Sequence, residues 1–167
     1  MISRVVLCVW LAGIAALQAA EPTLTRMWSV VITNQSSTMA ALSRDGQWIA
    51  SAGRQNIANQ IEIRRATDGS WVKTLPGHDG FILALEFSRD GTLLASSGRD
   101  EQLKLWSVPG GTLIGAIANV TSAQSGQGGA IAFSPDDTLL ASTLKTAPTN
   151  LAVWQMRTEP SPKPEFL

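Results

Sequence analysis

The sequence predicts an all-β fold, built from about three repeated units of antiparallel strands. A Ser-x-Asp turn occurs three times, at residues 43–46, 88–91 and 134–137, with spacings of 45 and 46 residues. Each turn precedes a short apolar strand that ends in Ala-Ser. Self-similarity at this period is typical of repeat architectures, in which each unit buries its apolar surface only against its neighbours.

The middle unit shows its strands most clearly. An apolar run of strand length leads into the turn at residues 88–91, where Gly91 is free to adopt a positive φ angle. Further turns separate the segments that follow. The expected strands cover residues 81–87, 92–96, 103–106 and 112–117. Four antiparallel strands within about 45 residues are typical of one blade of a β-propeller.

Three motifs of the middle unit carry a family resemblance. They are, in chain order, Gly77-His78, Leu94-Ala95-Ser96 and Leu103-Lys104-Leu105-Trp106-Ser107. Together they resemble the WD40 repeat, whose hallmarks are Gly-His near the start and Trp-Asp near the end. Ser107 stands here in place of the Asp.

The first and third units resemble the same repeat less completely. The first matches at residues 48–51 and 61–63 but has Arg64 where the Trp belongs, and the third matches at residues 139–142 and 151–155. The resemblance covers nearly all of the chain that follows its N-terminal segment. It implies a partial WD40-type β-propeller of about three four-stranded antiparallel blades.

The expected domain organisation has three parts. They are a signal peptide at residues 1–20, WD40 repeats at 21–156 and a disordered, proline-containing tail at 157–167. The blades are expected at about residues 37–76, 77–118 and 119–156, and residues 27–32 are expected to form an outer strand that completes a blade.

The first twenty residues have the pattern of a secretory signal peptide. Arg4 is their only charged residue, an apolar run covers residues 5–17, and small residues follow it. Cleavage after Ala19 or Ala20 would make the mature chain secreted or periplasmic and would remove Cys8, the only cysteine. The alternative is an uncleaved signal that anchors the chain in a membrane, although the run is shorter than the ~20 residues that span a bilayer.

Composition and charge argue against several classes of function. Lys plus Arg and Asp plus Glu both number 13, so no excess of positive charge favours binding to nucleic acid or to an anionic membrane. One cysteine and one histidine are too few for a zinc site or a redox pair. We therefore expect no metal, no cofactor and, once the signal is cleaved, no membrane span.

Ser, His and Asp occur together in the middle unit, and these are the components of a hydrolase triad. The WD40 resemblance implies a structural use instead: a hydrogen-bonded chain of His78, Ser96, Asp100 and Trp106 that links the loops of one blade to its third strand. No Gly-x-Ser-x-Gly motif surrounds Ser96, and the strand pattern buries it. We therefore expect no catalytic residue. A propeller-type hydrolase that uses His78, Ser96 and Asp100 is the alternative.

The resemblance implies a non-catalytic scaffold that binds a protein or peptide partner through loops at one end of the blades. Arg54, Asp79 and Arg99 are the charged residues expected on this rim. Propellers typically have about 4–8 blades, whereas about three are expected here. The chain is therefore expected to be part of a longer propeller. The alternatives are a homodimer that closes a six-bladed ring, with residues 27–32 completing the partner's last blade, and three blades that stand alone.

Overall fold

The computed structural model describes residues 27, 29, 37–53, 59–118, 130–143 and 151–156. Within this part of the chain, all regular secondary structure is β-strand, arranged in three antiparallel sheets. The prediction of an all-β fold is confirmed.

Each sheet is a meander of consecutive strands. The first has the order β1-β2-β3-β4, with β1 at Ser37–Leu42, β2 at Trp48–Gly53, β3 at Ile61–Arg65 and β4 at Trp71–Leu75. The second has the order β5-β6-β7-β8, with β5 at Ile82–Phe87, β6 at Leu93–Gly98, β7 at Gln102–Ser107 and β8 at Leu113–Ala118. The third has the order β9-β10-β11, with β9 at Ile131–Phe133, β10 at Leu139–Thr143 and β11 at Leu151–Gln155.

The second sheet lies between the other two, and its strands follow the apolar pattern of the sequence. They begin and end within two residues of the expected segments. β6 is buried along almost its whole length, because both of its faces are covered. Its register places Leu94 opposite Trp106 on one face and Ala95 opposite Leu105 on the other.

Two apolar clusters hold the three sheets together. Between the first and second sheets, Ile63 lies in one cluster with Leu94 and Trp106. Between the second and third sheets, Leu105 lies in another cluster with Leu140. None of these side chains is more than 1% exposed. Since full burial of such a side chain contributes about 1.5–3 kcal/mol, face-to-face packing is the main source of stability.

The repeated Ser-x-Asp motif forms the turn between the first two strands of each sheet. In the middle unit, the Ser88 hydroxyl donates to Asp90 (Oγ–Oδ1 2.7 Å) and accepts the backbone N–H of Leu93 (2.9 Å). Ser43 and Ser134 make the same two bonds in their own turns. The motif recurs because each of these turns needs an oxygen that both donates to the carboxylate and accepts from the returning strand.

The last residue of each turn has a positive φ angle, which is 71° at Gly46, 72° at Gly91 and 58° at Asp137. Glycine adopts this conformation without a steric penalty. At Asp137 the side chain makes compensating contacts, because its carboxylate accepts the backbone N–H groups of Arg89 (2.7 Å) and Asp90 (3.3 Å). Asp137, which occupies the position of Gly46 and Gly91 in the other turns, therefore links the third sheet to the turn of the second.

Several expectations fall outside the described residues. They are the signal peptide at 1–20, most of the outer strand at 27–32, the rim residue Arg54 and the tail at 157–167. The limits of the three blades stay predictions. Among the residues that are described, no helix is long and apolar enough to cross a membrane.

Candidate functional site

The second sheet and its loops bring four polar or amphipathic side chains together. Trp106 lies on β7 opposite Leu94 of β6, and Ser96 is two residues beyond Leu94. Ser96 and Trp106 therefore share one face of the sheet, since alternate residues of a strand point the same way. His78 comes from the loop before β5, and Asp100 from the turn between β6 and β7.

These four side chains form one continuous chain of hydrogen bonds. The Trp106 indole N–H donates to the Ser96 hydroxyl (Nε1–Oγ 2.9 Å), which lies 2.8 Å from His78 Nε2. His78 Nδ1 in turn lies 2.8 Å from Asp100 Oδ1. His78 is 4% exposed, Trp106 1% and Ser96 0%. Every donor meets one acceptor when His78 is neutral and carries its proton on Nδ1, and we assign this tautomer from the network.

The surroundings of His78 favour the neutral imidazole. Burial lowers the pKa of His78 below its usual value, against the hydrogen bond and negative charge of Asp100, which act in the opposite direction. A second proton, on Nε2, would also face a Ser96 hydroxyl that already accepts the Trp106 N–H. The contact between His78 and Asp100 is therefore a hydrogen bond from a neutral ring, although its length would also suit an ion pair.

Asp100 joins the loops on either side of the chain. Its Oδ2 accepts the backbone N–H of Asp79 (3.0 Å), and its Oδ1 accepts the backbone N–H of Gln102 (3.3 Å). Burial raises the pKa of Asp100, but the hydrogen bond from His78 together with these two N–H groups lowers it below its usual value. The carboxylate thus holds the loop before β5 against the turn after β6.

Two further residues support the site and were not identified from the sequence. The Lys104 ammonium donates to the Gly77 carbonyl (2.7 Å) and lies 3.7 Å from Asp100 Oδ2. Gly98 approaches the site so closely that a Cβ atom there would lie 2.5 Å from His78 Nδ1. Strand alternation could have identified Lys104, because it shares a face of β7 with Trp106.

The rim residues predicted on the second sheet lie at the same end as Asp100. Asp79 is exposed, and Arg99 is half-buried, with its guanidinium 5.3 Å from the centroid of the Phe81 ring. The Arg99 backbone N–H donates to the Phe81 carbonyl (2.8 Å). Asp79 and Arg99 thus lie on loops that Asp100 holds in place.

Among the described residues, the first and third sheets show fewer of these hydrogen bonds than the second. In the third sheet, the Trp154 indole N–H donates to the Ser142 hydroxyl (2.9 Å). In the first sheet, Arg64 replaces the Trp, and its guanidinium donates to Glu62 (2.8 Å) and to the Gly69 carbonyl (3.0 Å). Such variation is compatible with a structural role, because each blade can replace these hydrogen bonds by other packing contacts.

The site offers little opportunity for nucleophilic chemistry. The Ser96 hydroxyl is fully buried and is occupied by Trp106 and His78, whereas a nucleophile must reach a substrate carbonyl. Among the described residues, no group of three or more His, Cys, Asp or Glu side chains could hold a metal ion.

Two stacked four-stranded meanders and a third meander with three described strands, together with the buried chain from Trp106 to Asp100, are typical of the blades of a β-propeller. The WD domain, G-beta repeat family matches residues 69–107, which include all four members of that chain. Residues 69–107 therefore carry a WD40 repeat, and the chain resembles WD40-repeat β-propeller proteins.

The chain is similar in sequence to other proteins and in fold to solved structures. An uncharacterised WD repeat-containing protein from Synechocystis sp. is 36% identical over 97 residues, which are 58% of this chain and 26% of that protein. Eukaryotic translation initiation factor 3 subunit I from Scheffersomyces stipitis is 29% identical over 106 residues, which are 64% of this chain and 28% of that protein. Kluyveromyces lactis Hsv2 aligns with 80% of this chain and 46% of its own, with a TM-score of 0.62 and 15% identity. The chain therefore spans about a quarter of the length of these two relatives and under half of that solved structure.

Replacement of Ser96 by Ala should destabilise the protein more than replacement of Ser142 by Ala. Ser96→Ala leaves the Trp106 N–H and His78 Nε2 buried without a partner, at a cost of about 2–4 kcal/mol. Ser142→Ala removes one bond, from the half-buried Trp154, and should cost ~1 kcal/mol. Urea unfolding of the full chain measures both values. Equal losses for the two variants would contradict the role assigned to Ser96.

Stability should fall as the pH is lowered below about 6.5, because the pKa of His78 is depressed in the folded state. Above that pH the imidazole is neutral in both states; below it, the unfolded chain binds a proton that the folded chain rejects. The slope should approach ~1 kcal/mol per pH unit at its steepest.

Unfolding at pH 7.5, 6.5 and 5.5 tests this dependence on His78, which is the only histidine. His78→Gln should be less stable than the original protein at pH 7.5 and should lose this part of the pH dependence. Parallel pH profiles for the two proteins would show that His78 is not its source.

Proposed function

We propose that the chain is a non-catalytic interaction module, which binds a protein or peptide partner through the rim beside the buried hydrogen-bonded chain. The proposal rests on one observation: Asp79, which is exposed, and Arg99, which is half-buried, lie on loops that Asp100 holds in place. Loops positioned by a rigid scaffold are common binding surfaces. Arg99 also stacks on Phe81, which is 36% exposed, and aromatic and Arg side chains are frequent anchors of interfaces.

The relatives support an interaction role. One of them is named as a subunit of eukaryotic translation initiation factor 3, and the others described above are named for WD repeats or as Hsv2. The hydrolase alternative requires the Ser96 hydroxyl and His78 to open onto a pocket. Their burial and mutual bond support the non-catalytic function instead.

The third sheet supports the expectation that further blades complete the ring. On the face directed away from the second sheet, Leu139, Leu151 and Val153 are 40%, 63% and 58% exposed. Another blade, supplied by a longer chain or by a second copy, would cover these side chains. Apolar side chains of this size gain about 1.5–3 kcal/mol each from full burial.

Export is part of the proposal and rests on the basic start, apolar run and small residues of the N-terminal segment. Expression with a C-terminal tag should deliver the protein to the medium or periplasm with a mature N-terminus at Ala20 or Glu21. Intact mass and N-terminal sequencing measure this. A chain that keeps Met1 in the membrane fraction would indicate the uncleaved anchor, and one that keeps Met1 in the cytoplasm would overturn export.

The rim is tested by charge reversal. A partner captured by the full chain and then purified should bind the Asp79→Lys and Arg99→Glu variants about tenfold or more weakly, as expected for residues central to an interface. Arg65→Glu is the matched control, since Arg65 is exposed at the opposite end of the sheets. Surface plasmon resonance measures the affinities, and thermal unfolding checks each fold. A partner whose affinity is unchanged by both rim variants would contradict this binding surface.

A further inference from the structure

A second candidate binding surface lies at the end of the sheets opposite to the rim. β5 runs from the loop that carries His78 to the turn at residues 88–91, so the ends of β5 face different surfaces. A cavity of about 140 Å³ lies at the turn end, where β1, β5 and β9 finish. Its lining includes Leu42, Arg44, Glu86, Arg89, Phe133 and Asp137.

The repeat places two arginines on this cavity. Arg44 and Arg89 occupy the same position in consecutive Ser-x-Asp turns, and Pro135 occupies it in the third. The Arg89 guanidinium donates one hydrogen bond, from Nη1 to the Pro135 carbonyl (3.0 Å). Its remaining donors have no partner among the described residues. This single contact holds Arg89 in position beside the cavity and leaves most of its binding capacity unused.

Arg44 is exposed and makes no hydrogen bond or ion pair within the part of the chain that the structure describes. It lies close enough to Glu86 for the two charges to interact: partial burial raises the pKa of Glu86, and the Arg44 charge acts against that rise. Five guanidinium N–H groups are therefore available at this edge of the cavity.

The lining contains two guanidinium groups and two carboxylates, those of Glu86 and Asp137. The Asp137 carboxylate keeps its charge but accepts two backbone N–H groups, from Arg89 and Asp90. The lining therefore offers a ligand the unpaired donors of Arg44 and Arg89, and not an excess of positive charge. Leu42, which is 62% exposed, adds an apolar surface beside them.

We propose that this cavity binds an acidic segment of a partner protein, with a Glu or Asp carboxylate held between Arg44 and Arg89 and a neighbouring apolar side chain against Leu42. Arginine suits this role because its planar fork binds a carboxylate through two parallel hydrogen bonds. The cavity extends the proposed interaction function to a second surface, at the other end of the blades, and shares no residue with the rim.

The test uses the full chain and three labelled peptides, Glu-Leu-Glu-Leu-Glu, its Gln-Leu counterpart and its Lys-Leu counterpart, in fluorescence anisotropy at low salt. The acidic peptide should bind about tenfold or more tightly than the Gln peptide, and added salt should reduce that difference. Arg44→Gln should weaken binding of the acidic peptide about tenfold, and Arg89→Gln by a similar factor.

Two control variants separate a specific site from general surface charge. Arg65→Gln removes an exposed arginine at the same end of the sheets but outside the cavity, and it should leave the affinity unchanged. Glu86→Gln should strengthen binding of the acidic peptide, because it removes one of the two carboxylate charges in the lining. A gain of affinity cannot result from damage to the fold.

Equal affinity for the acidic and Gln peptides, or equal weakening by Arg44→Gln and Arg65→Gln, would overturn the proposal. Arg44→Gln carries most weight, since Arg44 makes no hydrogen bond or ion pair with the described residues whose loss could disturb folding. Asp79→Lys and Arg99→Glu should not affect peptide binding. The rim and the cavity can therefore fail independently of each other.

Discussion

The Ser96 hydroxyl is completely buried between two sheets, and its two hydrogen bonds organise the middle blade. A buried polar group without a partner costs about 1–3 kcal/mol, so this position tolerates a hydroxyl only while Trp106 donates to it and His78 accepts from it. The Trp106 ring also belongs to the apolar cluster against the first sheet. One residue thus contributes both to packing between blades and to the polar chain within a blade.

The bonds of the hydrogen-bonded chain all run in one direction, from the buried Trp106 to Asp100 near the surface. Trp106 donates a hydrogen bond to Ser96, Ser96 donates one to His78, and His78 donates one to Asp100. The Asp100 carboxylate also accepts the backbone N–H of Asp79. The exposed loop is thereby connected to the core through four side chains. Such a fully satisfied network restricts a loop more than separate contacts would, because each bond fixes the orientation of the next donor.

Local turn chemistry and strand alternation explain why much of the fold was predictable. Ser88 and Asp90 determine their turn within a few residues, and the apolar run of β5 has no competing helical pattern. The confirmed WD40 relationship rests on motifs that are equally local. Strand alternation places Lys104 on the same face of β7 as Trp106. Its bond to Gly77 and the close approach of Gly98 to His78 have no local signal, because both depend on how the loop before β5 folds back over the sheet.

The cavity at the turn end has no sequence signal for a different reason. The Ser-x-Asp motif marks the repeat through its Ser and Asp, which maintain the turn, whereas its second residue is free to vary. Arg44 and Arg89 at that position carry positive charge from adjacent blades towards one cavity, and only packing of β1 against β5 brings them together. Asp137 shows the same principle at the last turn residue, where the exchange of Gly for Asp forms a bond between blades. In a repeat protein, the turn positions that can be substituted without disturbing the turn are therefore the ones that can give each end of the blades its own chemistry.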